Sequence, residues 1–535
     1  MATSTPTNRR VTHPRSRNGC ITCKIRHVKC TEEKPSCGTC QRSGRKCDGY
    51  DNASQTQLRA RIAERQRPLV RNTFGADHRL VLRQETRTER RYVDFFYTRT
   101  SHAFSGFYDS KLWSYLIPQF GEHEPSVRHA LTAIGAIHSR VQSAGGWDGD
   151  GNGEAGEGPG SAPSDRFVLE EYNKSISTLV KTLSVRRGGS IDLTLTTCCL
   201  FVCLEMLRNN QKEALDHIEA GLRIIHKHEQ SGTSTYQSEL YTQLRDLFLR
   251  LNLQSSFFGR LIIPLKLSSP GVTTTPSSSS GAPLPFTDMN EARNHLDQQM
   301  TKALLFIRSV GIMREARDPG TQLALEAEQE SLRLELLAWR QSHDKLLSRL
   351  GPKLSPCDLC ASYLLRIYYH TALLWVLNVL ERTEDGYDRY TSDFESVVNL
   401  AEEVLRLNTL QAANDPTTVI FSLEGEIIAP LYYASCRCRH PAIRRRALNI
   451  LFTYSKREGM WDAQLYARVA KLVIDVEESQ CLAPPISERD IGTLARVYEE
   501  VQPKERTENP TNVVLYMKPK GVEGPWKMVS VQVEW

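Results

Sequence analysis

Six cysteines lie in the stretch CITCKIRHVKCTEEKPSCGTCQRSGRKC, from Cys20 to Cys47, with the spacing C-x2-C-x6-C-x6-C-x2-C-x6-C. This is one C-x2-C-x6-C half written twice. Cysteines clustered in this way can be a disulfide framework, a set of buried thiols or a metal site. The leading residues MATSTPTNRRVTHPRSRNG are polar and basic with no apolar signal core, and no later stretch offers about 18 consecutive apolar residues. The expectation is an intracellular chain without a membrane span, where thiols stay reduced and clustered cysteines ligate metal.

Thiolates are soft donors, and zinc takes four of them in a tetrahedral array. One zinc would strand two of the six. Two zincs need eight ligand positions, which six thiolates fill when two of them bridge. The expected cofactor is therefore a pair of structural zinc ions held by Cys20, Cys23, Cys30, Cys37, Cys40 and Cys47. Each x2 spacing lets neighbouring thiolates chelate at a turn, and each x6 gap holds about two helical turns. Six thiolates and two divalent ions sum to a charge of minus two, which calls for nearby cations. Lys24, Arg26 and Lys29 supply them in the first half, and Arg42, Arg45 and Lys46 in the second.

The segment resembles the fungal zinc binuclear-cluster DNA-binding domain, with its two C-x2-C-x6-C halves, the basic run KIRHVK after the first pair, and Pro35 two residues before the fourth cysteine. The resemblance implies that Cys20 and Cys37 bridge the metals. It also implies that a short helix from about Thr22 to Cys30 enters the major groove of double-stranded DNA and reads a CGG-like triplet. On such a helix Ile25 and Val28 share a face by i, i+3 spacing and can cover the cluster, while Lys24, His27, Arg26 and Lys29 point elsewhere. Cations on a small helix suit a phosphate-lined groove, and Arg or Lys can donate to guanine O6 and N7. Arg26 and His27 are the base-contact candidates, with Lys24, Lys29, Arg42, Arg45 and Lys46 completing the DNA-binding set. His27 stands where the family commonly has Lys or Arg, and a neutral imidazole cannot copy a bidentate fork. With six thiolates satisfying both metals, His27 is not expected as a ligand.

Charge is distributed unevenly along the 535 residues. Residues 1–100 carry 22 Lys and Arg against 9 Asp and Glu, a balance of +13 within an overall +6. A basic head on a mildly acidic body points to a nucleic-acid partner. Residues 1–17 read as a disordered basic tail, whose Arg9, Arg10, Arg15 and Arg17 would add phosphate contacts, an import signal or simple solubility. The zinc domain spans 18–50, and a basic linker spans 51–91. In the linker Leu58 and Ile62 begin an apolar stripe that Pro68 interrupts well short of three heptads. A homodimer is thus left open, with its contact outside the linker.

Residues 92–505 read as a large all-α regulatory domain, making the fold mainly α. Val127, Leu131, Ile134 and Ile137 recur at helical spacing. IDLTLTTCCLFVCLEMLRNN is apolar nearly all round, as a helix buried in a bundle would be, so Cys198, Cys199 and Cys203 read as core thiols, and Cys357 and Cys360 likewise. Flexible insertions are expected near 142–165, which is Gly-rich and acidic, and near 267–285, a Ser, Thr and Pro run. Asp288 and Glu291 suit a helix start, and Arg444, Arg445 and Arg446 read as a solvated helix face. The tail 506–535 holds a short β-hairpin formed by NVVLYMKP and KMVSVQVEW. Through CLFVCLEMLRNNQKEALDHIEAGLRII, PFTDMNEARNHL and APLYYASCRCRHPAIRRRALNILFTYSKREGMWDA, residues 80–500 resemble the helical fungal-specific transcription-factor domain. What that implies is a regulatory architecture.

The function expected is that of a nuclear, sequence-specific DNA-binding transcription factor of RNA polymerase II genes, with the transcription machinery as a further partner. The target class favoured is a biosynthetic gene cluster for secondary metabolites, with catabolic or stress genes as the alternative. No H-E-x-x-H, G-x-S-x-G, P-loop or strand-linked dinucleotide fingerprint occurs, so an enzyme is not expected. A non-catalytic zinc scaffold that binds protein is the alternative from another class.

Overall fold

The computed structural model describes residues 19–26, 28–47, 86–108, 110–143, 164–185, 190–231, 238–265, 285–312, 318–412, 421–501 and 510–534, and the chain divides into two units, 1–81 and 82–535. The basic tail, His27, the Leu58 and Ile62 stripe and nearly all of both insertions lie outside the described residues.

In the first unit two five-residue helices, α1 (Ile21–Ile25) and α2 (Gly38–Arg42), each start on a cysteine cap. Cys20 and Cys37 hold extended backbone, and their sulfurs accept from the N–H groups of Cys23 and Cys40. A helix running to Cys30 was expected. The structure ends it at Ile25, because Val28 N–H donates to Cys23 O at 3.2 Å and this wider turn takes the chain off the helix axis towards Cys30. Val28 therefore does not cover the cluster and is 41% exposed.

The second unit opens with α3 (Arg87–Phe95), fixed by a capping box in which Thr86 N–H donates to Glu89 Oε2 at 2.7 Å and Glu89 N–H donates to Thr86 Oγ1 at 3.2 Å. A π-helical turn, α4 (Ser101–Ser105), a second π-helical turn and α5 (Ile117–His123) lead to α6 (Pro125–Ser143). α7 (Asp165–Val185), α8 (Ile191–Leu207), α9 (Gln211–Ser231) and α10 (Glu239–Phe257) complete a first core around Trp113, Leu131, Ile134, Leu200 and Phe248. α8 is buried along nearly its whole length, and Cys198, Cys199 and Cys203 are core thiols in it.

A second core, around Phe306, Leu336, Trp339 and Tyr369, joins α11 (Met289–Ile312), α12 (Pro319–Leu350) and α13 (Pro356–Asn378). The third gathers α14 (Thr391–Ala412), α15 (Ile428–Arg437), α16 (Pro441–Thr453) and α17 (Ala463–Glu478) around Phe394, Leu431, Leu465 and Val469. Short strands β1 (Phe421–Ser422), β2 (Arg457–Glu458) and β3 (Trp461–Asp462) form a small mixed sheet, parallel then antiparallel.

The C-terminal hairpin is present as β5 (Thr511–Met517) and β6 (Lys527–Val533), antiparallel with Val514 opposite Ser530. It carries a third strand, β4 (Val497–Val501), on the far edge of β5. Alternate residues Val513, Leu515 and Met517 turn inward and join the third core with Val497 and Val533. The reading of Arg444 as solvated is corrected: it is fully buried, with Nη2 donating to Glu477 Oε2 at 2.8 Å. Arg445 and Arg446, by contrast, are part-exposed and paired with Glu478 and Glu402. No helix among the described residues is long and apolar enough to cross a membrane.

Candidate metal centre and nucleic-acid interface

The caps of α1 and α2 bring the first two cysteines of each half onto one buried point, and the loops after each helix return the third. Two sets of four sulfurs result: Cys20, Cys23, Cys30 and Cys37, and Cys20, Cys37, Cys40 and Cys47, each set within 4.8 Å. Cys20 and Cys37 belong to both. Sulfur separations are 3.4 Å for Cys20 to Cys37, 3.6 Å for Cys23 to Cys37, and 3.8 Å for Cys20 to Cys40. Four sulfurs about 2.3 Å from one zinc stand about 3.8 Å apart, so the donor set fits the ion. Burial pushes the Cys20, Cys23 and Cys40 thiols up, Cys23 to about 12, so the thiols keep their protons until a cation displaces them.

The two halves are related by an approximate two-fold that reaches into the hydrogen bonds. Cys20 N–H donates to Cys30 Sγ at 3.2 Å, and seventeen residues on, Cys37 N–H donates to Cys47 Sγ at 3.4 Å. Thr22 Oγ1 donates across to Lys46 O at 3.3 Å, and Thr39 Oγ1 donates back to Lys29 O at 3.1 Å. These reciprocal threonine ties fix each helix to the loop of the other half. Thr22 and Thr39 were not among the expected site residues, yet they leave a mark in the sequence: both cysteine pairs read C-x-T-C.

Around this buried centre Lys24, Lys29, Arg42, Arg45 and Lys46 are exposed. Arg42 Nε donates to Gly38 O at 3.3 Å. Arg26 is part-buried, and its Nη1 donates to Ser43 Oγ at 3.0 Å, so its guanidinium lies against the second half. His27 lies outside the described residues. The cations thus surround the cluster, and the thiolates that would attract them are covered.

A second group of metal-ligand type, Glu89, His129 and Glu171, lies in the helical unit. Lys174 Nζ already stands 2.6 Å from Glu171 and 3.5 Å from Glu89, and His129 Nδ1 lies 2.8 Å from Glu171. An ammonium supplies the positive charge there, which makes the group an ion-pair network between α3, α6 and α7.

Comparison with known proteins gives matches to both units. A family model described as the fungal Zn(2)-Cys(6) binuclear cluster domain matches residues 18–57, and one described as the fungal specific transcription factor domain matches residues 91–473. The aspercryptin biosynthesis cluster-specific transcription regulator of Emericella nidulans is 22% identical over 87% of this chain and 88% of its own length. A transcription regulator of Purpureocillium lilacinum is 26% identical over 47% of this chain and 58% of its own. A Zn(2)-C6 fungal-type transcription factor of Aspergillus fumigatus is 28% identical over 24% of this chain and 34% of its own. No solved structure matches.

Proposed function

Since the chain belongs to the fungal transcription regulators that join a Zn(2)-Cys(6) binuclear cluster domain to a fungal specific transcription factor domain, we propose that it is a sequence-specific, nuclear regulator of a biosynthetic gene cluster. A Zn(2)-Cys(6) domain binds two zinc ions and DNA, and the family is one of regulators, not of enzymes. In this reading Cys20 and Cys37 serve both ions, Cys23 and Cys30 complete one set, and Cys40 and Cys47 complete the other. The ions are structural, since every ligand position is taken by sulfur and none is left open. Residues 18–50 read DNA, 51–91 link and run into α3, the first helix of the body, 92–505 regulate, and 506–535 close the body with the hairpin.

The observation that carries the reading is the pair of interlocked sulfur tetrads with Cys20 and Cys37 in common, surrounded by exposed cations. Lys24, Lys29, Arg42, Arg45 and Lys46 hold phosphates, and Arg26 with His27 addresses base edges. Support for the target class is the similarity to a biosynthesis cluster-specific regulator along most of both chains.

The test is selection from random duplex DNA by the zinc-loaded full chain. Enriched CGG-like triplets in pairs at fixed spacing are expected of a homodimer, and a single triplet of a monomer. Arg26→Ala should keep its zinc and lose about 1–3 kcal/mol of discrimination between sequences. Lys46→Ala should weaken all sequences alike and lower the salt slope by about one. An absence of enrichment with two zincs bound would overturn the regulator in favour of a protein-binding scaffold. Enriched sites upstream of catabolic or stress genes, and not of neighbouring biosynthetic genes, would overturn the target class alone.

A further inference from the structure

Where α10, α11, α13 and α15 approach β3, α17 and β4, the helical body holds a cavity of about 520 Å³. Its wall is a run of aromatic rings whose centroids follow one another closely. Tyr433 lies 6.3 Å from Trp375, Trp375 lies 5.5 Å from Phe257, and Phe257 lies 6.0 Å from Trp461. Trp461 lies 4.4 Å from Tyr466, which lies 4.8 Å from Tyr432. The volume falls within the roughly 300–1,000 Å³ typical of small-molecule sites, which are likewise mostly apolar with a few placed polar groups.

Three polar atoms of lining residues are buried without a hydrogen-bond partner among the described residues: the donor Trp461 Nε1, the acceptor Gln211 Oε1 and the Tyr432 hydroxyl, which can act as either. Trp461 is 5% exposed. A buried polar group left unpaired costs about 1–3 kcal/mol, so each calls for a complement. The charges are one-sided. No Lys, Arg or His is among the described lining residues; Glu499 is exposed, and Glu500, also in the lining, accepts from Arg437 Nη2 at 3.0 Å.

We propose that this cavity is a binding site for a planar, largely apolar small molecule, neutral or positively charged, that carries both a hydrogen-bond donor and an acceptor. The rings stack on its faces, Trp461 Nε1 donates to its acceptor, and Gln211 Oε1 accepts from its donor. Carboxylates and phosphates are disfavoured, since they meet Glu499 and no cation. The site draws its walls from elements of all three cores, so an occupant ties these cores together.

The experiment titrates the zinc-loaded full chain with 2-naphthol, 2-naphthylmethylammonium and 2-naphthoate, which share one ring system and differ in charge, and reads tryptophan fluorescence and calorimetric heat. Saturable binding of the first two at one site per chain is expected, with naphthoate at least tenfold weaker. Glu499→Lys, at this exposed position, should invert the order of the cation and the anion. Ala429→Phe, which fills the cavity from α15, should abolish saturable binding while helical circular dichroism is unchanged. Trp461→Phe keeps a ring and removes the donor, and should weaken 2-naphthol severalfold. The proposal is overturned by an absence of saturable binding, by naphthoate binding as well as the others, or by indifference of folded Ala429→Phe to the probes.

Discussion

Cys37 and Cys47 are the same residue type in the same repeat, yet the site gives them unequal roles. Cys37 belongs to both sulfur tetrads and Cys47 to one. Cys37→Ala should therefore leave neither set complete, so that zinc per chain falls from two towards zero and the head loses its fold, because metal binding and folding are coupled in such domains. Cys47→Ala leaves one tetrad whole and should retain about one zinc. Elemental analysis of the purified variants measures both, and two zincs in Cys37→Ala would remove the shared role. A similar inequality separates Arg444 from Arg446, two residues apart. Arg444 shares Glu477 with Arg439, at 2.8 Å from each, with all three side chains fully buried. Removing one partner of a buried pair leaves an undercompensated charge, so Arg444→Ala should cost about 3 kcal/mol. Arg446, with a side chain 37% exposed, pairs with Glu402 at the surface, and Arg446→Ala should cost about 0.5 kcal/mol or less. Urea unfolding followed by helical circular dichroism separates the two, and equal midpoints would contradict the burial argument.

At the scale of elements, the contact between α3 and α6 depends on one missing side chain. A Cβ on Gly135 would stand 2.0 Å from Tyr92 O and 2.9 Å from Tyr92 C, both backbone atoms that cannot turn aside. Gly135→Ala should therefore lower the melting temperature of the helical body even though Ala is the better helix former by about 1 kcal/mol. An unchanged or raised melting temperature would mean that α3 is free to move outward. The same distinction between local and distant partners explains which parts of the molecule could be read from the sequence. The cluster was legible because all its ligands fall in one short stretch and chelation writes itself as spacing. α8 was legible because an apolar residue at almost every position can only be buried. Arg444 was not, since a helix turns successive residues to different faces and the carboxylate that holds it, Glu477, lies on α17. The end of α1 was missed because the chain leaves the helix to deliver Cys30, a demand of the cluster and not of helix propensity. β4 went unread because its pairing with β5 crosses residues 502–509, and the cavity because its walls run from Gln211 to Val501.

For the molecule as a whole, the buried histidines set how the body answers acid. Burial lowers His138 in α6 and His343 in α12 to about 4, from an ordinary value of 6.5, and lowers His217 and His295 in the same direction. His138 Nδ1 lies 2.9 Å from Thr100 Oγ1, and the His343 ring stacks on Trp339 at 4.9 Å with Nε2 3.4 Å from Ser362 Oγ. A proton added to either would place a charge inside a core. Between about pH 6.5 and 4 the unfolded chain binds protons that the folded chain refuses, so unfolding is drawn forward as pH falls. The loss begins near 6.5, grows down to about 4, and is on the order of 3 kcal/mol for each of His138 and His343. Glu171 and Glu477, whose carboxyls are held below their usual 4.5, add a further loss that begins near 4.5 and continues below it, since their stabilising charge disappears on protonation. His138 belongs beside the first core and His343 beside the second, so acid should unfold the body through both and not by shedding one end. The urea midpoint should fall steadily from pH 7 to pH 5, and His343→Gln, which keeps a polar group facing Ser362 but cannot take a proton, should make that fall shallower by about one proton's worth of slope. A midpoint that does not move between pH 7 and 5 would mean that these imidazoles are reached by water in the folded chain.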